Sequence, residues 1–160
     1  MKYNFKFTGY QNHPQKRLFR FFNNYFENED DTAFFMAAVI EAVFNAARYS
    51  KKTFDTAEIE ISVRYINKAL IVSVSSDTYS VPAVDIQRKM MEFAKNEEHW
   101  SSLINGTSGR GIWIMLQACD RVILEPKMEK VHLVVYFPYR IKELSNKALL
   151  KKLDIGVLEI

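Results

Sequence analysis

Hydrophobic and polar residues alternate along several parts of the chain, with the period of a half-buried β-strand. The alternation covers residues 1–7 and returns over residues 58–77. In the second stretch it is interrupted at Asn67-Lys68, which predicts a hairpin with its turn at these two residues. Two further strands are predicted over residues 121–125 and 130–137.

Hydrophobic residues spaced three and four apart predict amphipathic helices elsewhere. The predicted helices span residues 15–26, 31–48, 84–98 and 112–119. Asp31 or Thr32 is predicted to cap the second helix, because a side-chain oxygen there can accept from free backbone N–H groups. The tail from residue 141 to residue 160 is predicted to form a short basic helix and a last strand.

The composition fits one compact domain and excludes several classes of protein. Of the 160 residues 48% are apolar, and the net charge of +3 is too small to indicate a dedicated nucleic-acid binder. A single cysteine, Cys119, excludes an internal disulfide, and the three histidines lack the spacing of a metal site. Without a signal-peptide-like or membrane-spanning apolar run, a cytoplasmic location away from membranes is expected.

Two polar residues interrupt an apolar run in the second predicted helix. Between Ala33 and Ala47 only Glu41 and Asn45 are polar, and their spacing of four places them on one helix face. Such a helix is expected to be buried, so the Glu41 carboxylate needs a partner. The two residues form a satisfied buried pair, a helix edge that reaches solvent, or a site. In a site, Asn45 offers an oxygen to a metal ion and Glu41 orients or deprotonates a nucleophile.

Three of the five glycines, Gly106, Gly109 and Gly111, lie close together before the fourth predicted helix. The backbone amides of Gly111 and Ile112 would open this helix, and a helix N-terminus is an anion-binding site. Arg110 adds positive charge. Taken alone, the pattern is equally typical of a flexible turn.

A third polar feature is Asp77, which closes the predicted hairpin. An aspartate at a strand end can accept from an exocyclic amine in a pocket, or it can begin an Asx turn. For a lone aspartate, the turn is the default interpretation.

The order of these three features resembles the GHKL superfamily of ATP-binding domains, and within it the anti-sigma-factor serine kinases. Residues 41–48 are similar to the asparagine box of that family. Residues 109–115 and 120–122 are similar to its second glycine box and the strand that follows. The resemblance covers roughly residues 1–138, and the short connection from Asp77 to the glycine loop favours the anti-sigma branch.

The resemblance implies an α+β fold, a two-layer α/β sandwich with helices on one face of a mixed, mainly antiparallel sheet. Residues 1–140 would form a single ATP-binding domain, and residues 141–160 a C-terminal extension of unknown role.

The resemblance also implies the cofactors ATP and Mg²⁺ and a role for each candidate residue. Asn45 would coordinate Mg²⁺, Glu41 would act as the catalytic base or orienting group, and Asp77 would accept from the adenine amino group. The glycine loop would hold the phosphates through Gly106, Ser108, Gly109, Arg110, Gly111 and Ile112.

The sequence departs from the family pattern at several positions. Tyr79 and Val81 stand where the family usually has glycines after its aspartate. Tyr49 replaces a histidine that often follows the asparagine box, and Glu129-Lys130 replaces the glycine-threonine pair that often opens the last strand. Side chains at the two glycine positions are expected to crowd the adenine or the phosphates.

Two functions therefore stay open. The first is an ATP- and Mg²⁺-dependent serine/threonine kinase that regulates transcription by binding a sigma factor or similar client and phosphorylating a small antagonist protein, with a homodimer also implied. The second is a degenerate, non-catalytic module of the same fold that binds a regulatory partner. Direct nucleic-acid binding is not expected, because Phe19 and Phe22, which lie among basic residues, fall on the apolar stripe of the first helix.

Overall fold

A six-stranded sheet forms one layer of the molecule. The computed structural model describes residues 2–95, 110–140 and 144–158. Its strands are β1 (Lys2–Thr8), β2 (Glu58–Ile66), β3 (Ala69–Ser76), β4 (Arg121–Leu124), β5 (Lys130–Tyr136) and β6 (Leu153–Ile155). They lie in the order β1-β2-β3-β5-β4-β6, and each neighbouring pair is antiparallel except β4 and β6, which are parallel.

Helices form the second layer. Those in the described ranges are α1 (Gln15–Phe22), α2 (Glu29–Arg48), α3 (Ala83–Ala94), α4 (Arg110–Ala118) and α5 (Asn146–Leu150), with a short 3-10 turn at Tyr10–Asn12. The α+β class and the mixed, mainly antiparallel sheet are therefore as predicted. Within the same ranges, no helix combines the length and the apolar character needed to cross a membrane.

The hydrophobic core lies between the helices and one face of the sheet. Alternation along the strands turns side chains such as Ile61, Val72 and Leu133 toward the helices, where they are fully buried. The helix α2 crosses this face and buries Phe35 and Val39 against it. One side of α2 is thus fixed by the core, and Glu41 and Asn45 lie outside the core with the partly buried Phe34 and the exposed Phe44.

The hairpin of β2 and β3 turns at the predicted residues. Asn67 and Lys68 have φ angles of 51° and 63°, the left-handed values that a two-residue turn of type I′ requires. The turn sets the register, in which Val63 lies opposite Val72. The hydrophobic residues of both strands consequently face the core together.

The start of α2 corrects the predicted cap. The helix begins at Glu29, and Asn28 caps it with its extended backbone and a side chain that accepts from the Asp31 backbone N–H at 2.8 Å. Asp31 and Thr32 lie inside the first turn. The acidic residues of this turn still suit the helix dipole, so the prediction found the right region and the wrong capping residue.

The first helix is shorter than predicted. It ends at Phe22, and Phe26 lies in the turns that follow, where its ring packs 5.4 Å from Phe35 and 5.0 Å from Tyr139. The helical spacing of Phe26 thus reflects burial in the core without a helical backbone.

Two further helix boundaries differ from the prediction. The helix α3 begins at Ala83, and its predicted end at residue 98 lies outside the described residues. The helix α4 begins at Arg110, two residues earlier than predicted, and ends one residue earlier. Gly111 consequently belongs to the first turn of a helix, and it was expected in a loop.

Residues 144–158 contribute to the same sheet and core. Leu149 and Leu153 are buried, and β6 extends the sheet beside β4. The Lys152 ammonium donates to the backbone oxygens of Leu116 and Cys119, each at 2.9 Å. It therefore satisfies carbonyls at the C-terminal end of α4, where a positive charge is favourable.

The sheet face turned away from the helices carries a chain of polar side chains. Ser73 lies 2.6 Å from His132 Nδ1, and His132 Nε2 lies 2.7 Å from a carboxylate oxygen of Glu125. Burial lowers the pKa of His132, although the Glu125 carboxylate opposes this shift. A neutral imidazole that donates to Glu125 accepts from the Ser73 hydroxyl, so the chain satisfies polar groups that the sheet buries.

Candidate functional site

The start of α4 packs against the part of α2 that carries Glu41 and Asn45. A Cβ atom added to Gly111 would lie 3.0 Å from Glu41 Oε2 and 3.1 Å from Asn45 Nδ2. Contacts this short would require the ends of the Glu41 and Asn45 side chains to give way by a few tenths of an ångström, so Gly111 allows a close approach of α4 to both residues. Three of the predicted site residues therefore meet at one point.

Glu41 and Asn45 are half-buried and lie one helical turn apart. The expectation that α2 is buried all round is wrong on this side, because Phe44 between them is 37% exposed. Tyr10 lies near this side of α2, and its pKa is raised by burial and, to a smaller extent, by the charge of Glu41. The Glu41 carboxylate is thus at a partly hydrated edge, where it can contact a ligand.

A cavity of about 280 Å³ opens beside these residues. Most of its wall is hydrophobic and comes from both layers, including Ala42, Ala46, Val74, Met90, Ile112 and Val131. The volume is close to the lower limit for small-molecule sites, and the mixture of an apolar wall with few polar groups is typical of them.

Five polar side chains line the cavity: Asn45, Ser76, Thr78, Lys89 and Glu129. Two of them already have protein partners, since Ser76 donates to the Ala46 carbonyl at 2.8 Å and Thr78 donates to the Met128 carbonyl at 3.4 Å. By contrast, Oε2 of Glu129 is buried and has no hydrogen-bond partner.

Tyr79 and Val81, the two departures from the family pattern, both form part of the cavity wall. Tyr79 is 60% exposed, and its backbone N–H donates to the Tyr49 carbonyl at 2.8 Å. The Tyr79 side chain therefore stands at the mouth of the cavity, where it can move without disturbing the core.

Asp77 lies outside the wall of this cavity. Alternation along the strand turns Ser76 and Thr78 toward the cavity, whereas Asp77 lines a separate groove with Ser75. One of its carboxylate oxygens accepts from the Ser50 hydroxyl at 2.7 Å. The predicted role of Asp77 in binding adenine stays a prediction.

The predicted phosphate loop is described only in part. Arg110 begins α4 and is exposed, and Ile112 lies in the cavity wall next to Gly111. Gly106, Ser108 and Gly109 lie outside the described residues. The structure thus brings together Glu41, Asn45, Gly111 and Ile112.

No protein-family model matches the chain, and no curated protein is significantly similar to it. In the part of the chain that the structure describes, no three histidine, cysteine, aspartate or glutamate side chains form a cluster that could hold a metal ion.

Four polar lining residues were not predicted as site residues from the sequence: Ser76, Thr78, Lys89 and Glu129. Ser76 could have been found, because the alternation of Leu70, Val72 and Val74 continues to it. Lys89 and Glu129 belong to elements that are distant in sequence, and no local pattern indicates that they share a cavity.

Replacement of Gly111 by alanine is expected to weaken ligand binding without unfolding the protein. Alanine favours the helix by about 1 kcal/mol, but its Cβ would push the ends of the Glu41 and Asn45 side chains away by a few tenths of an ångström. We expect Mg-ATP affinity in calorimetry to fall by roughly tenfold or more, equivalent to about 1.4 kcal/mol. The matched control is Gly156→Ala, because nothing lies within 4 Å of a Cβ at Gly156. Equal affinity of both variants would contradict the proposed contact.

Proposed function

We propose that this protein binds ATP with Mg²⁺ and transfers phosphate to serine or threonine, as an anti-sigma-like kinase of the GHKL type. The observation that carries the proposal is the convergence of Glu41, Asn45 and Gly111 next to a cavity of ligand size, whose wall includes Asn45 and Ile112. These three residues come from the two sequence boxes on which the resemblance depends. Their contact is independent of that resemblance, since it follows from the packing of α4 on α2.

The residues present fit a magnesium nucleotide. The space beside Gly111 would be filled by any Cβ, and it adjoins the first turn of α4, where free backbone N–H groups favour an anion. Asn45 offers one amide oxygen, and Mg²⁺ is usually held by few protein oxygens together with phosphates and water. When bound, Mg-ATP would supply the phosphoryl group to be transferred and the ion that neutralises its charge.

Different side chains of this site would bind the nucleotide and transfer the proton. The hydrophobic wall of the cavity would hold the base, because a flat apolar ring system gains most from leaving water. Glu41, half-buried one turn from Asn45, would orient the attacking hydroxyl and accept its proton. Gly111 would keep the two side chains and the start of α4 close together.

The proposed protein partners are those that the resemblance to the anti-sigma-factor kinases implies. They are a sigma factor or similar client and a small antagonist protein that carries the acceptor serine, in the cytoplasm and with a homodimer as the assembly. Neither a membrane nor a nucleic acid is part of the proposed function.

A second candidate function has one specific observation in its favour. Tyr79 and Val81 occupy the cavity wall where the resemblance leads one to expect glycines. Their side chains reduce the room for a nucleotide, which favours a non-catalytic module that binds a regulatory protein. The affinity of such a module for its partner would be the same with and without nucleotide.

Calorimetry with Mg-ATP separates the two candidates. We expect the wild-type protein to bind Mg-ATP. Asn45→Ala removes the side chain proposed to coordinate Mg²⁺, so we expect its affinity for Mg-ATP to fall roughly tenfold, which is about 1.4 kcal/mol of binding free energy. Asn4→Ala is the matched control, because Asn4 is exposed on the edge strand β1. The affinity of this variant for Mg-ATP should equal that of the wild type. Equal loss in both variants would overturn the role of Asn45, and no binding at millimolar nucleotide would favour the non-catalytic module.

A further inference from the structure

One acidic side chain in the cavity wall has an oxygen that the protein leaves without a partner. Glu129 stands just before β5, and its Oε2 atom is buried and accepts no hydrogen bond. No cation within 4.0 Å pairs with Glu129 among the described residues. Lys89 lines the same cavity and forms no ion pair with it.

A buried acceptor without a donor destabilises the protein that contains it, so its presence calls for an explanation. The backbone around Glu129 is well fixed. The neighbouring Met128 carbonyl accepts from Thr78, and the Glu125 N–H donates to the Lys130 carbonyl at 3.0 Å. The backbone on both sides of Glu129 is therefore fixed and its side chain lies in the wall of the cavity, where a donor on a ligand would satisfy Oε2.

Glu129 and Asp77, the other acidic residue near the cavity, differ in position. Asp77 accepts from Ser50, and its side chain lies in the groove beside Ser75, outside the cavity. Glu129 lies in the cavity wall together with Asn45 and Ile112. Of the two acids, only Glu129 belongs to the cavity wall, and it also carries a buried acceptor oxygen without a partner.

We propose that Glu129 accepts a hydrogen bond from the amino group of the purine base and selects adenine as the ligand. The assignment rests on the proposed nucleotide-binding function. A single acceptor oxygen in an apolar wall matches the exocyclic amine of a 6-aminopurine, which is a pure donor. A purine without this amine leaves the carboxylate buried and unsatisfied, and a charged hydrogen bond in such a place discriminates strongly.

The test compares ATP with purine riboside triphosphate, which lacks the 6-amino group, by calorimetry in the presence of Mg²⁺. We expect the wild type to bind ATP at least about tenfold more tightly, the ratio that loss of one charged hydrogen bond produces. Glu129→Gln should reduce the preference to less than about threefold, since its neutral amide forms a weaker hydrogen bond with the amine. Asp77→Asn tests the competing assignment and should keep the wild-type ratio, because Asp77 lines a separate groove and its amide oxygen can still accept from Ser50.

Each outcome has a defined meaning. If wild type binds ATP but Glu129→Gln keeps the wild-type preference, or if Asp77→Asn removes it, the assignment to Glu129 fails and the proposed function survives. Tighter binding of GTP than of ATP would also overturn the selection of adenine. If wild type binds none of these nucleotides, both the proposed function and the assignment fail.

A measurement without nucleotide checks the premise directly. Glu129→Met replaces the buried carboxylate by an apolar side chain of similar length, so we expect the melting temperature of the ligand-free protein to rise. A lower melting temperature would show that Glu129 has a stabilising partner within the protein, and it would overturn the proposal.

Discussion

Glu41→Gln is expected to abolish most phosphoryl transfer while leaving Mg-ATP bound. The amide keeps the size of the side chain beside Gly111, but it cannot accept a proton from the attacking hydroxyl. Loss of a general base typically lowers the rate by about 10² to 10⁴-fold. The rate is measured as labelled phosphate released or transferred from ATP, and the affinity by calorimetry.

The matched control for this prediction is Glu58→Gln. Glu58 begins β2, away from the cavity, and its exposed carboxylate forms an ion pair with Lys52 at 3.0 Å. We expect the control to transfer phosphate at the wild-type rate. Equal rates for Glu41→Gln and wild type, in a protein that does transfer phosphate, would exclude Glu41 as the base.

Phe35→Ala is expected to destabilise the protein strongly. Phe35 is fully buried in α2, and its ring lies 5.2 Å from that of Phe22 and 5.4 Å from that of Phe26. Truncation leaves a cavity that the surrounding side chains fill only in part. We expect the free energy of unfolding, measured by urea denaturation, to fall by about 3–5 kcal/mol.

Phe44→Ala on the same helix provides the comparison. The Phe44 side chain is 37% exposed, so its truncation creates no enclosed cavity and should cost about 1 kcal/mol. If the two variants lost the same stability, the assignment of one side of α2 to the core and the other to the site would be wrong.

The order and type of the elements could be predicted where local patterns determine them. The hairpin at Asn67-Lys68 is confirmed because a two-residue turn and a period of two fix the same register. The cap of α2 was wrong because Asn28, Asp31 and Thr32 are all good capping residues, and the sequence does not say which of them has an extended backbone.

The two sides of the candidate site differ in what the sequence could predict. The spacing of Glu41 and Asn45 predicts that they share one helix face. The structure confirms this, because both side chains lie beside Gly111. The contact of Gly111 with both residues depends on how α4 packs on α2, so spacing cannot predict it. Glu129 reaches the cavity through the strand order, in which β5 lies beside β3, and this pairing joins residues far apart in the chain.

The thermal shift on addition of Mg-ATP tests the central claim most directly. A ligand that binds only the folded protein stabilises it in proportion to the logarithm of its concentration. At a nucleotide concentration of about 100 times Kd, we predict that the melting temperature rises by roughly 5–10 °C. The rise should be smaller for Asn45→Ala at the same concentration. An unchanged melting temperature at millimolar Mg-ATP would contradict the proposal that this cavity binds a nucleotide.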